Sequence, residues 1–216
     1  MDENCRQVKP FLDMAYGSGA KYVNILRLMD VSSNGLMLKE NLNSSDIGKT
    51  YVDILDWIVD NKEKAGGGEL EITFVLPGYS MKEINKYRQR RKAYGPIKFE
   101  VQYDPLRGCQ AFGNSLAITA LGDVTGCTAM VNVPEFYIGN IRKNLLNEIL
   151  RKWPGMRKKL RMRETELEKQ EQCEACSYWS ECRGGCPVAA FRYHGTMEKP
   201  DPTCIVLKNE RIIRYN

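Results

Sequence analysis

Apolar residues in the first hundred positions come in blocks whose spacing switches between strand and helix periods. Phe11, Leu12, Met14 and Ala15 suggest the tail of a helix, closed by Gly17-Ser18-Gly19. Tyr22-Val23-Asn24-Ile25-Leu26-Arg27-Leu28-Met29 follows as a nearly continuous apolar run. Such a run fits a strand buried on both faces of a parallel sheet. Beyond a polar loop around Ser32 to Gly35, Ser44 or Ser45 can cap a helix. Its Ile47, Tyr51, Ile54, Leu55 and Ile58 share one face, and Gly66-Gly67-Gly68 ends it. Leu70 to Leu76 is a second strand, stopped by Pro77-Gly78. Ser80-Met81-Lys82-Glu83 has capping-box spacing and opens another helix through Tyr87. Strand, helix, strand, helix implies parallel pairing with right-handed crossovers. A lone parallel pair would leave open edges and uncovered apolar faces. Residues 1–96 are therefore predicted to be α/β, and to be either the last strands and helices of a larger parallel β/α barrel or a segment that pairs with another chain.

The pattern changes near residue 97. Ile97 to Val101 alternates like a half-buried strand, and Leu116 to Ala120 and Val124 flank the turn at Leu121-Gly122-Asp123 as a β-hairpin. Ile141 to Trp153 reads as a helix ended by Pro154-Gly155, and a second, charged helix covers 157–170. From Cys173 to Cys204 the chain is rich in cysteine and glycine with little apolar periodicity. Such a segment cannot order itself by hydrophobic burial and needs metal or cross-links. Residues 97–216 are predicted to form a small α+β domain.

Composition adds little until the cysteines are counted. The chain has 216 residues, 43% hydrophobic and 27% charged, ordinary values for a globular protein. No run approaches the ~20 apolar residues of a membrane span, and the start Met1-Asp2-Glu3-Asn4 is acidic, unlike a signal peptide. The expected location is cytoplasmic. Eight cysteines are present, and all but Cys5 lie between Cys109 and Cys204. In a reducing compartment clustered thiols point to metal or redox chemistry rather than disulfides. The formal net charge of +5 counts those thiols as neutral. Seven thiolates holding two clusters would cancel most of it, so no nucleic acid partner is predicted. The densest basic stretch, Arg157 to Arg163, is followed by Glu164, Glu166 and Glu168 and reads as a solvated helix face, with docking of an acidic peptide as the sharper alternative.

The spacings are Cys109-x12-Gly122-x4-Cys127, Cys173-x2-Cys176-x5-Cys182-x3-Cys186, and Cys204. A C-x2-C pair lets two thiolates converge from a tight turn, and Cys182 can join Cys173 and Cys176. In two-cluster ferredoxins the cysteine of a terminal Cys-Pro ligates the other cluster. On that analogy Cys186, followed by Pro187, turns toward Cys109 and Cys127, and Cys204 completes the site of Cys173, Cys176 and Cys182. Spacing alone leaves both iron–sulfur and structural zinc open.

The full pattern resembles the SPASM domain, the auxiliary-cluster extension that follows the barrel in many radical SAM enzymes. All seven cysteine positions match. So do Gly122-Asp123-Val124, Ile138-Gly139-Asn140-Ile141, Gly184-Gly185 and Pro200-Asp201-Pro202. The resemblance is strong over 109–204 and weaker over Tyr22 to Asn41, which is similar to a late barrel strand and its loop. It implies two [4Fe–4S] clusters, the first on Cys109, Cys127 and Cys186, the second on Cys173, Cys176, Cys182 and Cys204. Some family members have a further cysteine soon after the first. Here that stretch reads Gln110 to Ser115, so the first cluster would have an open iron or a non-cysteine ligand.

The C-x3-C-x2-C loop with which radical SAM enzymes bind their catalytic cluster is not found in these residues. The resemblance therefore implies the C-terminal part of a radical SAM oxidoreductase, unable by itself to cleave S-adenosylmethionine. A missing N-terminal half or a partner subunit would supply that cofactor's site, and the substrate class implied is a peptide or protein. Asn24 and Arg27 would face S-adenosylmethionine in a complete barrel. Thr128 follows Cys127 where sulfatase-maturing relatives have an aspartate, which counts against that subfamily. Cys5 reads as an incidental buried thiol and His194 as a loop residue. Tyr178 and Trp179 read as shields of a cluster against water. The competing reading is a zinc-stabilised peptide- or protein-binding module, or an accessory subunit, without redox chemistry.

Overall fold

The computed structural model describes residues 7–26, 44–61, 70–75, 98–101, 108–202 and 204. Those up to residue 101 and those from 108 to 202 make up two compact units. Arg27, Cys5 and the helix expected from Ser80 lie outside the described residues.

The first unit follows the apolar pattern closely. Helix α1 (Val8–Gly17) buries Val8, Leu12 and Ala15, one side of the helix at steps of three and four. It stops where expected: the Ser18 N–H returns to the Met14 carbonyl, and Gly19 takes a left-handed φ of +77°. Helix α2 (Ser44–Asn61) buries Ile54, Leu55 and Ile58 as predicted, with Trp57 beside them. The two helices are pinned together by a 2.8 Å hydrogen bond from Trp57 Nε1 to Asp13 and by an edge-on contact of Trp57 with Tyr16.

Strands β1 (Tyr22–Leu26), β2 (Glu71–Val75) and β3 (Lys98–Val101) form one sheet in that order, with both pairings parallel. Two features differ from expectation. Tyr22, Asn24 and Leu26 of β1 are exposed and only Val23 is buried, so one face of this strand is open rather than both covered. The strand at 98–101, expected to open the second domain, instead pairs with β2 as the third strand of the first. Alternation identifies a half-buried strand but not its neighbour.

The second unit begins with the predicted hairpin. Strand β4 (Ala117–Ile118) pairs antiparallel with β5 (Asp123–Thr125), and β5 with β6 (Gly139–Asn140). Two of the motif stretches thus face each other, Asp123 opposite Asn140 and Val124 opposite Gly139. Asn140 Nδ2 bonds Asp123 Oδ1 at 2.8 Å, and Asn140 N bonds Asn144 Oδ1 at 3.0 Å. Helix α3 spans Leu146–Glu168 without interruption and carries Pro154 inside it, which corrects the expected break at Pro154-Gly155. The carbonyl that loses its donor is that of Leu150, an exposed residue, so water can satisfy it. Short helices α4 (Glu171–Glu174), α5 (Trp179–Cys182) and α6 (Pro187–His194) complete the unit. His194 is the last residue of α6 rather than a loop residue.

Candidate metal centres

An apolar core of Ala111, Phe112, Val124, Met130, Phe136, Ile149, Leu160 and Val188 fills the space between the hairpin, α3 and α6. Cys109, Cys127 and Cys186 pack against that core from three separate stretches of chain. Cys127 immediately precedes a turn of 3₁₀ helix at Thr128–Met130, and Cys186 is the residue before Pro187 at the start of α6. The three thiols are close enough for charge on one to be felt by another. Burial pushes the Cys109 thiol up to about 12, Cys186 and Cys127 add to the rise, and the Ala111 N–H and Arg163 oppose it. Cys109 is thus protonated at neutral pH without a metal, and an electrophile bound there must displace its proton.

The Cys109 loop is held by α3. Trp153 Nε1 donates to the Phe112 carbonyl and Arg157 Nη1 to the Cys109 carbonyl, with a further Arg157 bond to the Ala111 carbonyl at 3.2 Å. Gly126, just before Cys127, has no room for a side chain, because a Cβ would lie 2.6 Å from the Phe112 ring. On the other side of the loop, Glu164 is buried, with Oε2 3.3 Å from Arg161 and Oε1 against Gly108.

Cys173, Cys176 and Cys182 belong to a differently built stretch. Cys173 lies in α4 and is buried; Cys182 ends α5 and is half-buried. Backbone turns step between them: Cys176 N to the Cys173 carbonyl, Trp179 N to the Cys176 carbonyl, and Cys182 N to the Tyr178 carbonyl at 2.8 Å. The indole of Trp179 bonds Glu168 at 2.7 Å, and Arg183 sits 5.9 Å from its ring centre. Cys204 is half-buried and follows Pro202, where the second unit ends.

Between Cys182 and Cys186 the chain reverses through three consecutive left-handed residues, Arg183, Gly184 and Gly185, with φ of +49°, +78° and +67°. A Cβ on Gly184 would meet Leu167 at 2.3 Å and one on Gly185 would meet Asp201 at 2.4 Å, so both positions require glycine. Asp201, 1% exposed, accepts the Cys186 N–H on Oδ2 at 2.9 Å and returns its own N–H to the Gly184 carbonyl at 3.0 Å. Arg163, also buried, bonds the carbonyls of Gly184, Gly185, Lys199 and Met197.

These clamps correct one reading of the sequence. Arg157 and Arg163 belong to the basic run taken as a solvated helix face, yet both turn inward and bond carbonyls of the cysteine loops. Lys158, Lys159 and Arg161 are the residues of that run that face solvent. Asn24, expected on a strand covered on both faces, is exposed on β1 of the first unit.

The donor set is sulfur throughout, and no disulfide joins these seven cysteines. Among the described residues no three Cys, His, Asp or Glu side chains are gathered tightly enough to hold a single metal ion. Thiols within electrostatic reach of one another are the donors that an iron–sulfur core takes. The buried Arg163 cation offsets the negative charge that such a core and its thiolates would carry. The residues fit an iron–sulfur cluster.

Among the described residues no helix is long and apolar enough to cross a membrane. No curated protein matches the chain. The family model of SPASM, an iron–sulfur cluster-binding domain, matches residues 109–177, a stretch that takes in Cys109, Cys127, Cys173 and Cys176 and stops short of Cys182. The chain thus carries a SPASM iron–sulfur cluster-binding domain.

Proposed function

We propose that this chain is the cluster-bearing C-terminal region of a radical SAM/SPASM oxidoreductase, relaying electrons while docking a peptide or protein substrate, and not competent alone to cleave S-adenosylmethionine. Cys109, Cys127 and Cys186 would hold a first [4Fe–4S] cluster, and Cys173, Cys176, Cys182 and Cys204 a second. Such clusters supply one-electron transfer at potentials set by their surroundings. The chain's residues do the rest. The apolar core keeps water from the first three thiols, Arg157 and Trp153 fix the Cys109 loop, and Asp201 aims the Cys186 backbone.

The observation that carries the reading is the packing of Cys109, Cys127 and Cys186 against one apolar core, the first two of them within the SPASM-matching stretch. A second supports it. The three-stranded parallel sheet leaves Tyr22 73% and Leu26 68% exposed on β1, apolar surface that further barrel strands or a partner subunit would cover. Asn24 lies on that same face, where it would address S-adenosylmethionine in a complete barrel.

The test is oxygen-free reconstitution with iron and sulfide. Two clusters give about eight irons and eight sulfides per chain, with broad absorption near 400 nm. Cys109→Ser should remove about half of that iron, as should Cys173→Ser. The protein alone should form no 5′-deoxyadenosine from S-adenosylmethionine. Purification with stoichiometric zinc and neither iron nor sulfide would overturn the reading.

A further inference from the structure

The basic run on α3 contains one arginine that is both buried and bonded to two segments of the cysteine loops. Arg163 is 5% exposed, and burying a guanidinium without partners is costly. Its partners here are backbone carbonyls from two separate segments. Nη2 bonds Gly184 at 2.9 Å and Lys199 at 3.0 Å, Nη1 reaches Gly185 at 3.5 Å, and Nε bonds Met197. Gly184 and Gly185 lie in the three-residue reversal between Cys182 and Cys186, which the two-cluster reading assigns to different clusters. Met197 and Lys199 lie in the segment that runs on to Cys204. Asp201, from that segment, closes the same assembly by bonding Cys186 N and the Gly184 carbonyl. The thiols of Cys186, Cys109 and Cys182 are all within electrostatic reach of the guanidinium, with Cys186 foremost.

We infer that Arg163 is a positioning residue shared by both clusters: its fork fixes the Cys182–Cys186 reversal against the 197–201 segment, and its charge stays buried between the two sets of thiolates. This rests on the two-cluster reading above. Lysine can keep the charge but cannot reproduce a planar fork that reaches carbonyls on two segments. A fixed cation favours the more negative, reduced state of a nearby cluster, so removing it lowers the reduction potential. The first cluster, nearer through Cys186 and Cys109, should respond more than the second. Exposed Lys159 on the same helix is screened by water and should have no such effect.

The experiment compares wild type, Arg163→Gln, Arg163→Lys and Lys159→Met, each reconstituted without oxygen. Iron and sulfide are assayed, and the protein is titrated with dithionite while the reduced clusters are followed by electron paramagnetic resonance. Arg163→Gln should weaken the electron affinity of the first cluster about tenfold, which is about 59 mV for a one-electron couple. Arg163→Lys, which keeps the charge but loses the fork, should shift it by less than a third of that while holding less iron than wild type, and Lys159→Met should leave both unchanged. If Arg163→Gln holds no iron while Arg163→Lys holds it at the wild-type potential, the buried charge is needed for loading itself, which the inference also expects. Three results would overturn it: wild-type potentials in Arg163→Gln, equal shifts in the glutamine and lysine variants, or loss of iron from both, which would make Arg163 a folding residue only. Failure of the wild type to take up iron would instead strike the two-cluster reading.

Discussion

The two sets of cysteines are held by different forces. Cys109, Cys127 and Cys186 rest on a packed apolar core in which Phe112 and Met130 are fully buried. Cys173 and Cys182 sit on two four-residue helices with Cys176 in the turn between them, and none of the three is among the residues packed on that core. Helices of one turn are not stable by themselves, since nucleation costs more than so few hydrogen bonds return. The first set is therefore arranged by burial before any metal arrives. The second depends on what its sulfurs bind. If both sets ligate as proposed, one domain would combine a preorganised site with one whose folding is its ligation.

Phe112→Ala breaks the comparison at its strongest point. Phe112 lies against Gly126, its carbonyl receives the Trp153 indole, and it follows Ala111 in the Cys109 loop. Removing a fully buried ring costs about 3–5 kcal/mol. The expected result is a large fall in melting temperature of the reconstituted protein, with iron lost from the Cys109 site first. An iron-replete variant that melts within a degree or two of wild type would show that the core does not hold the first set.

Metal removal sharpens the comparison from the other side. After chelation, hydrogen exchange should show amides of 173–182 losing protection about a hundredfold, or about 2.7 kcal/mol. Amides of α3 between Ile149 and Leu160 should keep theirs, because that helix stands on apolar burial. Uniform loss of protection across both stretches would mean that the domain folds as one unit around its metal, and the distinction between the two sets would fall.

Legibility in the sequence divides along a similar line. Elements that rest on apolar periodicity were readable: Leu12 and Ala15 in α1, Ile54, Leu55 and Ile58 in α2, and the hairpin turning at Gly122. Cysteine spacing pointed Cys186 toward Cys109 and Cys127, and all three pack against the same apolar core; that they share a cluster is part of the proposal. The clamps were not readable. Arg157 and Arg163 occur in a run of basic residues at helical spacing, which a solvated face explains equally well. Their acceptors are backbone carbonyls, 48 positions away for Arg157 with Cys109 and 21 for Arg163 with Gly184. Every residue has a carbonyl, so residue type carries no trace of such a bond. The third strand was recognisable as a strand, but its partner β2 is fixed by topology, which alternation does not encode.

The continuity of α3 through Pro154 gives the smallest and most discriminating effect. Proline has no N–H for the Leu150 carbonyl, and its ring crowds that carbonyl, a combination that costs about 3 kcal/mol relative to alanine inside a regular helix. Here Leu150 is 42% exposed, so water can take the place of the lost donor. The residues that bracket the proline, Trp153 and Arg157, are the two that grip the Cys109 loop. If side-chain anchorage of the first site matters more than the helix's own bonds, Pro154→Ala should return only part of the propensity difference. The expectation is a gain of about 1 kcal/mol, read as a melting temperature higher by about 4–8 °C for a unit of this size, with iron at the Cys109 site unchanged. A loss of comparable size, together with an altered near-ultraviolet signal from Trp153, would show that the local bend at the proline is itself what seats the indole and the guanidinium on the loop.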